Sequence, residues 1–382
     1  MHVDPKHFDT GAILDGILDW VRVESPTYHA DGVNALMTKA AADMTALGAT
    51  VSRAPGTEGF GDIVTARFNN DAAGSKPGIL VTCHLDTVHT LGTLAEQLPI
   101  RHDGDQVFGP GIYDMKGGTR LAIEAMTAIT AAGLAPNLPI TYLFTPDEEI
   151  GSPTSRAAIE AEAQKHHYIL VPEPLRPTGD VVVGRHAIQR FIVRTIGKPS
   201  HAGSTKRDGR SAIAQMARVI ERIEAMNDYD RHVTYAVGTV HGGTFVNVVA
   251  IQCEAQVLCV APTDDDLAEL RRNMHAIAGE ENGVRVEVEQ TLVRPISHPH
   301  PGTMALFDVA KGIAADLDIE LTHCLSGGGS DGNFTGALGL PTLDGLGVAG
   351  AGAHTFNEHL LVSSLVPRCR ILAELLMTLE AP

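Results

Sequence analysis

The chain has 382 residues, with 29 Lys and Arg against 46 Asp and Glu, a formal charge of −17. So acidic a balance argues against nucleic acid and against an anionic membrane surface as main partners, because clustered cations supply most of the affinity for phosphate. At 44% hydrophobic residues there is ample material for a core, the length suggests two domains, and no apolar run approaches the roughly 18 residues of a membrane span. The opening MHVDPKHFDT has neither a basic nor an apolar signal region, so a cytoplasmic location is expected. The five cysteines are scattered and never form a C-x-x-C pair; they read as buried thiols rather than a disulfide framework.

Along the chain, helical spacing of apolar residues over 10–48 predicts two helices, with Gly48 as a C-cap. A strand follows over 62–68, then a short apolar strand, GILVTC, over 78–83 that ends abruptly in His-Leu-Asp. An Ala-rich helix is expected over 117–132, and further buried strands over 140–144, ending in Thr-Pro-Asp-Glu-Glu, and 168–171, ending in Pro-Glu-Pro. Continuous apolar strands alternating with helices predict a three-layer α/β domain with a mostly parallel central sheet, whose ligands bind beyond the carboxyl ends of the strands.

From about residue 184 the pattern changes to strand (191–196), helix (211–226), strands (234–240 and 246–260), helix (264–278) and strand (284–293). That is the order of a ferredoxin-like α+β module, inserted as a second domain. Helices over 302–315 and 364–379 and the glycine-rich loop between them are expected to rejoin the first sheet. The predicted division is 1–183, 184–295 and 296–382.

Five potential metal ligands fall at predicted strand ends or in loops: His84 in CHLDT, Asp114 in GPGIYDMKGG, Glu149 in TPDEEIGS, Glu173 in VPEPL and His354 in GAGAHTFNE. Two histidines and three carboxylates suit a borderline divalent ion such as zinc, cobalt or manganese, and with one carboxylate bridging they suffice for two ions. Each signal is weak singly; their shared position at strand ends gives the set its force. Asp86, two residues after His84, is spaced to orient that imidazole through its free N–H. Of the adjacent pair, Glu149 is assigned as ligand and Glu148 as general base, since a site in which both bound metal would keep no group to take a proton from water.

The segments CHLDT, GPGIYDMKGG, TPDEEIGS, GKPSHAGS, GGTFVNVVA, GGGSDGNFTG and LDGLGVAGAGAHTFNE together resemble the metallopeptidase family of glutamate carboxypeptidase, acetylornithine deacetylase and succinyl-diaminopimelate desuccinylase. The likeness runs from about residue 78 to the C-terminus and is nearest in character to glutamate carboxypeptidase. The resemblance implies two zinc ions in the catalytic domain and an inserted lid through which subunits form a homodimer. By position Asp114 would bridge the ions, with His84 and Glu173 completing one and Glu149 and His354 the other. Glu148 would activate the attacking water, Asp86 would orient His84, and the peptide bond after Asp114 would be cis. His201, in PSHAG, would reach the active site, often that of the partner subunit, to stabilise the oxyanion. Asn247 would contact substrate, and the loop of Gly327, Gly328 and Gly329 would line the pocket.

One departure bears on substrate. Where such proteins carry an Arg that grips an α-carboxylate, counting back from the turn Pro262-Thr263-Asp264 reaches Cys259, which cannot form the bidentate pair; Arg185, Arg210 and Arg294 are the candidate replacements. The leading expectation is metal-dependent hydrolysis of an amide-type C–N bond in a small N-acyl amino acid or dipeptide-like substrate. A second, motivated by Cys259, is hydrolytic release of an amino group from an aromatic or other non-peptide amine. A third is a non-catalytic binding member of the fold.

Overall fold

The computed structural model describes residues 2–69 and 77–381. They divide into two compact units. The first is built from the residues before Arg185, Ser297–Leu325 and the residues from Ser330 onward, and the second from Arg185–Ile296 with the short return Ser326–Gly329.

After two N-terminal helices the strands are, in chain order, β1 (Thr50–Ala54), β2 (Ile63–Phe68), β3 (Gly78–His84), β4 (Arg101–Asp103), β5 (Gln106–Phe108), β6 (Ile140–Thr145), β7 (His166–Val171) and β8 (Asp180–Arg185). The chain continues through β9 (Ala187–Ile196), β10 (Thr234–Gly242), β11 (Gln252–Ala261), β12 (Gly279–Glu281) and β13 (Val284–Arg294). It closes with β14 (Thr322–Ser326), β15 (Thr342–Asp344), β16 (Gly350–Ala351) and β17 (His359–Leu361).

Among the described residues, eight strands form one sheet in the order β1-β2-β6-β3-β7-β15-β8-β14. Its centre, β6-β3-β7-β15, is parallel, and β2 and β8 pair with it antiparallel. β3 and β6 are buried at every position, as strands covered on both faces must be. Helices Thr10–Val21, Gly117–Ala131 and Leu365–Thr378 supply Ile17, Trp20, Leu121, Ile129, Leu372 and Leu375 to the same core as Val81, Tyr142 and Phe144. Gly48 ends helix Ala30–Ala46 as expected: its φ of 92° is open to glycine at no steric cost, and its N–H donates to the Thr45 carbonyl at 3.0 Å. All five cysteines are free thiols, four of them buried.

The second unit follows the β-α-β-β-α-β order, with helices Ala212–Glu224 and Asp264–His275. Its antiparallel sheet runs β10-β11-β9-β13-β12. Phe191, Val193, Val257 and Cys259 face the helices and pack with Val219, Ile223, Leu270 and Met274. Alternation along β9 from Gln189 onward and along β11 leaves Arg190, Ile192, Arg194, Gln256 and Leu258 on the opposite face.

Most elements start and stop within a few residues of expectation, but the predicted strand over 246–260 begins only at Gln252. Residues 245–249 instead form a loop laced to residues 200–202, with Val249 N–H donating to Ser200 O and Ala202 N–H to Asn247 O, each at 2.9 Å. The run of valines imitated a strand, although Phe245 and Val246 are exposed. β1, β4 and β5 escaped sequence reading because they are short, and β1 and β4 are largely exposed, so neither length nor alternation marks them.

Candidate metal centre

Parallel pairing aligns the carboxyl ends of β3, β6 and β7, and each end delivers acid or imidazole to one place. His84 is the last residue of β3; Glu148 and Glu149 follow β6 by three and four residues, and Glu173 follows β7 by two. Asp114 arrives from the turn before helix Gly117–Ala131, and His354 from the loop before β17, at a φ of 63°. The Asp114–Met115 peptide bond is cis.

The two carboxylate oxygens of Asp114 face two different imidazoles, with Oδ1 3.3 Å from His84 Nε2 and Oδ2 3.4 Å from His354 Nε2. His84 Nε2 also lies 3.6 Å from Glu173 Oε1 and 4.0 Å from Glu148 Oε2, and His354 Nε2 lies 3.1 Å from Glu149 Oε2. Donor atoms of His84, Glu148 and Glu173 fall within 4.8 Å of one another, as do those of His84, Asp114 and Glu149. Ligands about 2.0–2.2 Å from a tetrahedral ion are separated from each other by roughly 3.3–3.6 Å. The donor set and its spacing therefore fit a divalent ion.

Asp86 is fully buried and does more than orient an imidazole. His84 Nδ1 lies 3.0 Å from the Asp86 backbone carbonyl and 3.3 Å from its carboxylate. The same carboxylate accepts the Thr27 hydroxyl at 2.7 Å and the backbone N–H groups of Glu148 and Glu149 at 3.1 and 3.2 Å. It thus fixes the histidine and the acid pair together. Asp147, the first acid of that run, turns the other way, accepting from Thr154 N–H and Oγ1 at 2.7 Å each and from the Ser155 hydroxyl.

Glu358 went unread in the sequence although it ends the segment containing His354. It is 1% exposed and accepts backbone N–H groups of Gly111, Tyr113 and Asp114 at 3.0, 2.9 and 3.0 Å, with His89 Nε2 at 2.6 Å. One carboxylate thereby sets the turn that presents Asp114. Its spacing of four residues from His354 was the available signal, but a glutamate in a polar loop reads as solvated.

The electrostatics match a cation site. Burial, then the neighbouring Asp114, pushes the Glu149 carboxyl up to about 8, and the same two causes raise Glu173 well above the ordinary range. Hydrogen bonds to Asp114 and then to Glu149 raise His354 to about 11. For His84, burial favours the neutral ring, but the carboxylates of Asp114, Asp86, Glu173 and Glu148 outweigh it and its pKa rises.

The remaining expected residues lie in the second unit. His201 and Asn247 sit on adjoining exposed loops, where His201 pairs with Val248. His201 Nδ1 accepts the N–H groups of Gly203 and Ser204 at 3.1 and 3.2 Å, so the neutral ring carries its proton on Nε2. At the glycine loop, the Arg185 guanidinium donates to the carbonyls of Gly328 and Gly329 at 2.7 and 3.1 Å. A Cβ built at Gly329 would meet Arg294 Cδ at 2.8 Å, and Gly327 neighbours His186. Arg210 instead holds the carbonyls of Arg207 and Gly209.

The reading of Cys259 needs correction. Its side chain is 0% exposed and packs with the helix-facing core, so no residue at 259 would reach a ligand from the other face. That face carries Leu258, paired across the sheet with Arg190.

Taken with this geometry, the comparisons with known proteins are clear. The pattern of peptidase family M20/M25/M40 matches residues 80–378, and the chain belongs to that family. It is a metallohydrolase acting on peptide or amide bonds. It is 29% identical to carboxypeptidase G2 of a Pseudomonas strain, over 97% of this chain and 90% of that one. It is 25% identical to succinyl-diaminopimelate desuccinylase of Delftia acidovorans, over 80% of this chain and 82% of that one. In fold it is similar to a tripeptidase of Staphylococcus aureus, with a TM-score of 0.76 at 21% identity over 97% and 98% of the two chains. Human carnosine dipeptidase 1 gives 0.74 at 14% identity over 96% of each. Among the described residues no helix is long and apolar enough to cross a membrane.

Two measurements test the centre. Because Glu149 holds its proton up to about pH 8 without metal, an arriving ion must displace protons. Because His354, raised to about 11, must also lose its proton, apparent affinity for a divalent ion rises with pH through about 8 and beyond, with proton release in calorimetry across buffers of different ionisation enthalpy; a flat profile would contradict these ligands. Glu358→Ala, which frees the Asp114 turn, should weaken divalent-ion binding about 10–100-fold in competition with a chelator. Unchanged affinity would mean that the turn is held without it.

Proposed function

We propose that the protein hydrolyses the amide-type C–N bond of a small N-acyl amino acid or dipeptide-like substrate, with Glu148 as general base. The observation that carries this reading is the division of the acid pair. Glu149 Oε2 is close to His354 at 3.1 Å, whereas Glu148 Oε2 stays 4.0 Å from His84, its nearest imidazole contact here. Asp86 holds both through their backbone N–H groups; Glu148 also lies within reach of His84 and Glu173, and in this reading Glu149 is the ligand and Glu148 the base beside it.

In this reading His84 and Glu173 would hold one zinc ion and Glu149 and His354 the other, with Asp114 between the two pairs. Cobalt or manganese would suit the same donors. Such ions, when bound, polarise the scissile carbonyl and acidify the attacking water. Glu148 takes the proton of that water and returns it to the leaving nitrogen. His201, with its proton on Nε2, donates to the developing oxyanion. Asn247 and the Gly327–Gly329 loop contact substrate, with Arg185 and Arg294 beside that loop as the cations for an anionic group. The alternative of a non-peptide amine keeps its motive, since Leu258 and Val260, which flank position 259 on the opposite face, supply no cation either.

The second unit is the proposed lid and dimerisation domain. β10 is an edge strand, and Val240, Phe245, Val246 and Ile251 are exposed in and around it, an apolar surface that a second copy would cover.

Glu148→Gln should lower turnover about 10²–10⁴-fold with unchanged metal content by elemental analysis; near-normal turnover ends the assignment of the base. A panel of N-acyl amino acids, dipeptides and aminoaromatic acids with zinc, cobalt or manganese tests the substrate class, and turnover of the last set alone would replace it. Light scattering should give a dimer that Phe245→Glu dissociates. A strict monomer in the unaltered protein would remove His201 from any partner's site.

A further inference from the structure

Beside the acid cluster the first unit holds a cavity of about 590 Å³ that neither the ligands nor the general base explains. Residues 26–29 wall one side and 87–91 the other, and Glu149 and Ile150 close the end towards the cluster. This space borders the proposed reaction centre, because Glu149 belongs to both.

The walls are fixed before anything enters. Thr27 N–H donates to Thr87 O at 3.2 Å, and Thr87 N–H donates to Ser25 O at 2.9 Å. The Glu24 carboxylate accepts the N–H groups of Gly92 and Leu94, both at 2.9 Å. The Tyr28 ring rests against Phe60 with centroids 5.8 Å apart. A shape held this way costs little further ordering when it is filled.

Its chemistry is selective. Tyr28, Val88 and Leu91 are large apolar side chains left 78%, 40% and 55% exposed, all gathered on this one cavity. No Lys or Arg lines it. His29 Nδ1 accepts the Gly32 N–H at 3.1 Å, which leaves Nε2–H of the neutral ring as a donor for an uncharged oxygen. A carboxylate has no lining cation to pair with here, whereas a flat apolar group has a ring, two branched side chains and enough volume for a bicyclic system.

We infer that this cavity receives the acyl half of the substrate and selects for bulky, uncharged aromatic acyl groups. The inference rests on the reading of the protein as a hydrolase of N-acyl amino acids, in which the half bearing the carboxylate must lie elsewhere.

The test compares kcat/KM of the metal-loaded enzyme on N-acetyl, N-succinyl, N-benzoyl and N-naphthoyl derivatives of one amino acid. Alongside it, calorimetric titration of the N-naphthoyl compound into metal-free protein reads binding without turnover. The aromatic acyl groups should be preferred over acetyl by about tenfold or more. Tyr28→Ala should cut that preference and weaken binding to the metal-free protein by a similar factor, and Leu91→Arg should shift preference towards the succinyl derivative. Both residues are exposed, so melting curves should match the parent protein and exclude misfolding as the cause. Equal rates on acetyl and naphthoyl derivatives, with ratios unmoved by either variant, would overturn the inference. If no N-acyl amino acid is cleaved but another amide is, the functional reading fails, and the titration still decides the cavity: binding that depends on Tyr28 supports it, and absence of binding refutes it.

Discussion

Mutual repulsion among buried carboxylates is the constraint around which the first unit is organised. Asp114, Glu148, Glu149 and Glu173 converge on His84 and His354. Taking such charges out of water is unfavourable unless positive charge comes with them. Two imidazoles cannot neutralise four acids, and the upward shifts of Glu149 and Glu173 register that deficit. Divalent ions are the economical remedy, and the family to which the chain belongs is one of metallopeptidases.

Holding the acids together requires a rigid frame, which the parallel strands provide. β3, β6 and β7 are pinned along their lengths by apolar contacts on both faces, so their ends have little freedom to drift apart. Two further buried carboxylates complete the frame without entering the cluster. Asp86 gathers the N–H groups of the acid pair, and Glu358 gathers those of the Asp114 turn. Each exchanges solvation for several donors at once, which is how a buried carboxylate is made tolerable. Acidic residues therefore serve here both as the problem and as its scaffolding.

Sequence alone was informative where chemistry and pattern coincided. His84, Glu148, Glu149 and Glu173 follow short apolar runs, and their convergence is a consequence of strand alignment. Glu358 was illegible because its partners are backbone N–H groups more than 240 residues away, which leave no side-chain signature. The misreading at Cys259 has a different origin. One residue of error along a strand moves a side chain to the other face, and only the burial of 253, 255, 257, 259 and 261 shows which face the helices cover. The loop over 245–249 deceived for a third reason: exposed valines look like a strand until their hydrogen-bond partners are known.

The order in which these parts occur along the chain matters for how the protein is made. His84 lies near one end of the folding unit, while His354 and Glu358 are separated from it by the entire second unit and the sheet's last strands. A ribosome delivering the chain from its N-terminus would expose the acid-bearing strand ends long before the residues that complete and brace them. Until then the nascent chain has neither the second imidazole nor the clamp on the Asp114 turn. A scavenged ion would find only a partial, loosely held site, so the cluster is completed only after the second unit and β15 have been made.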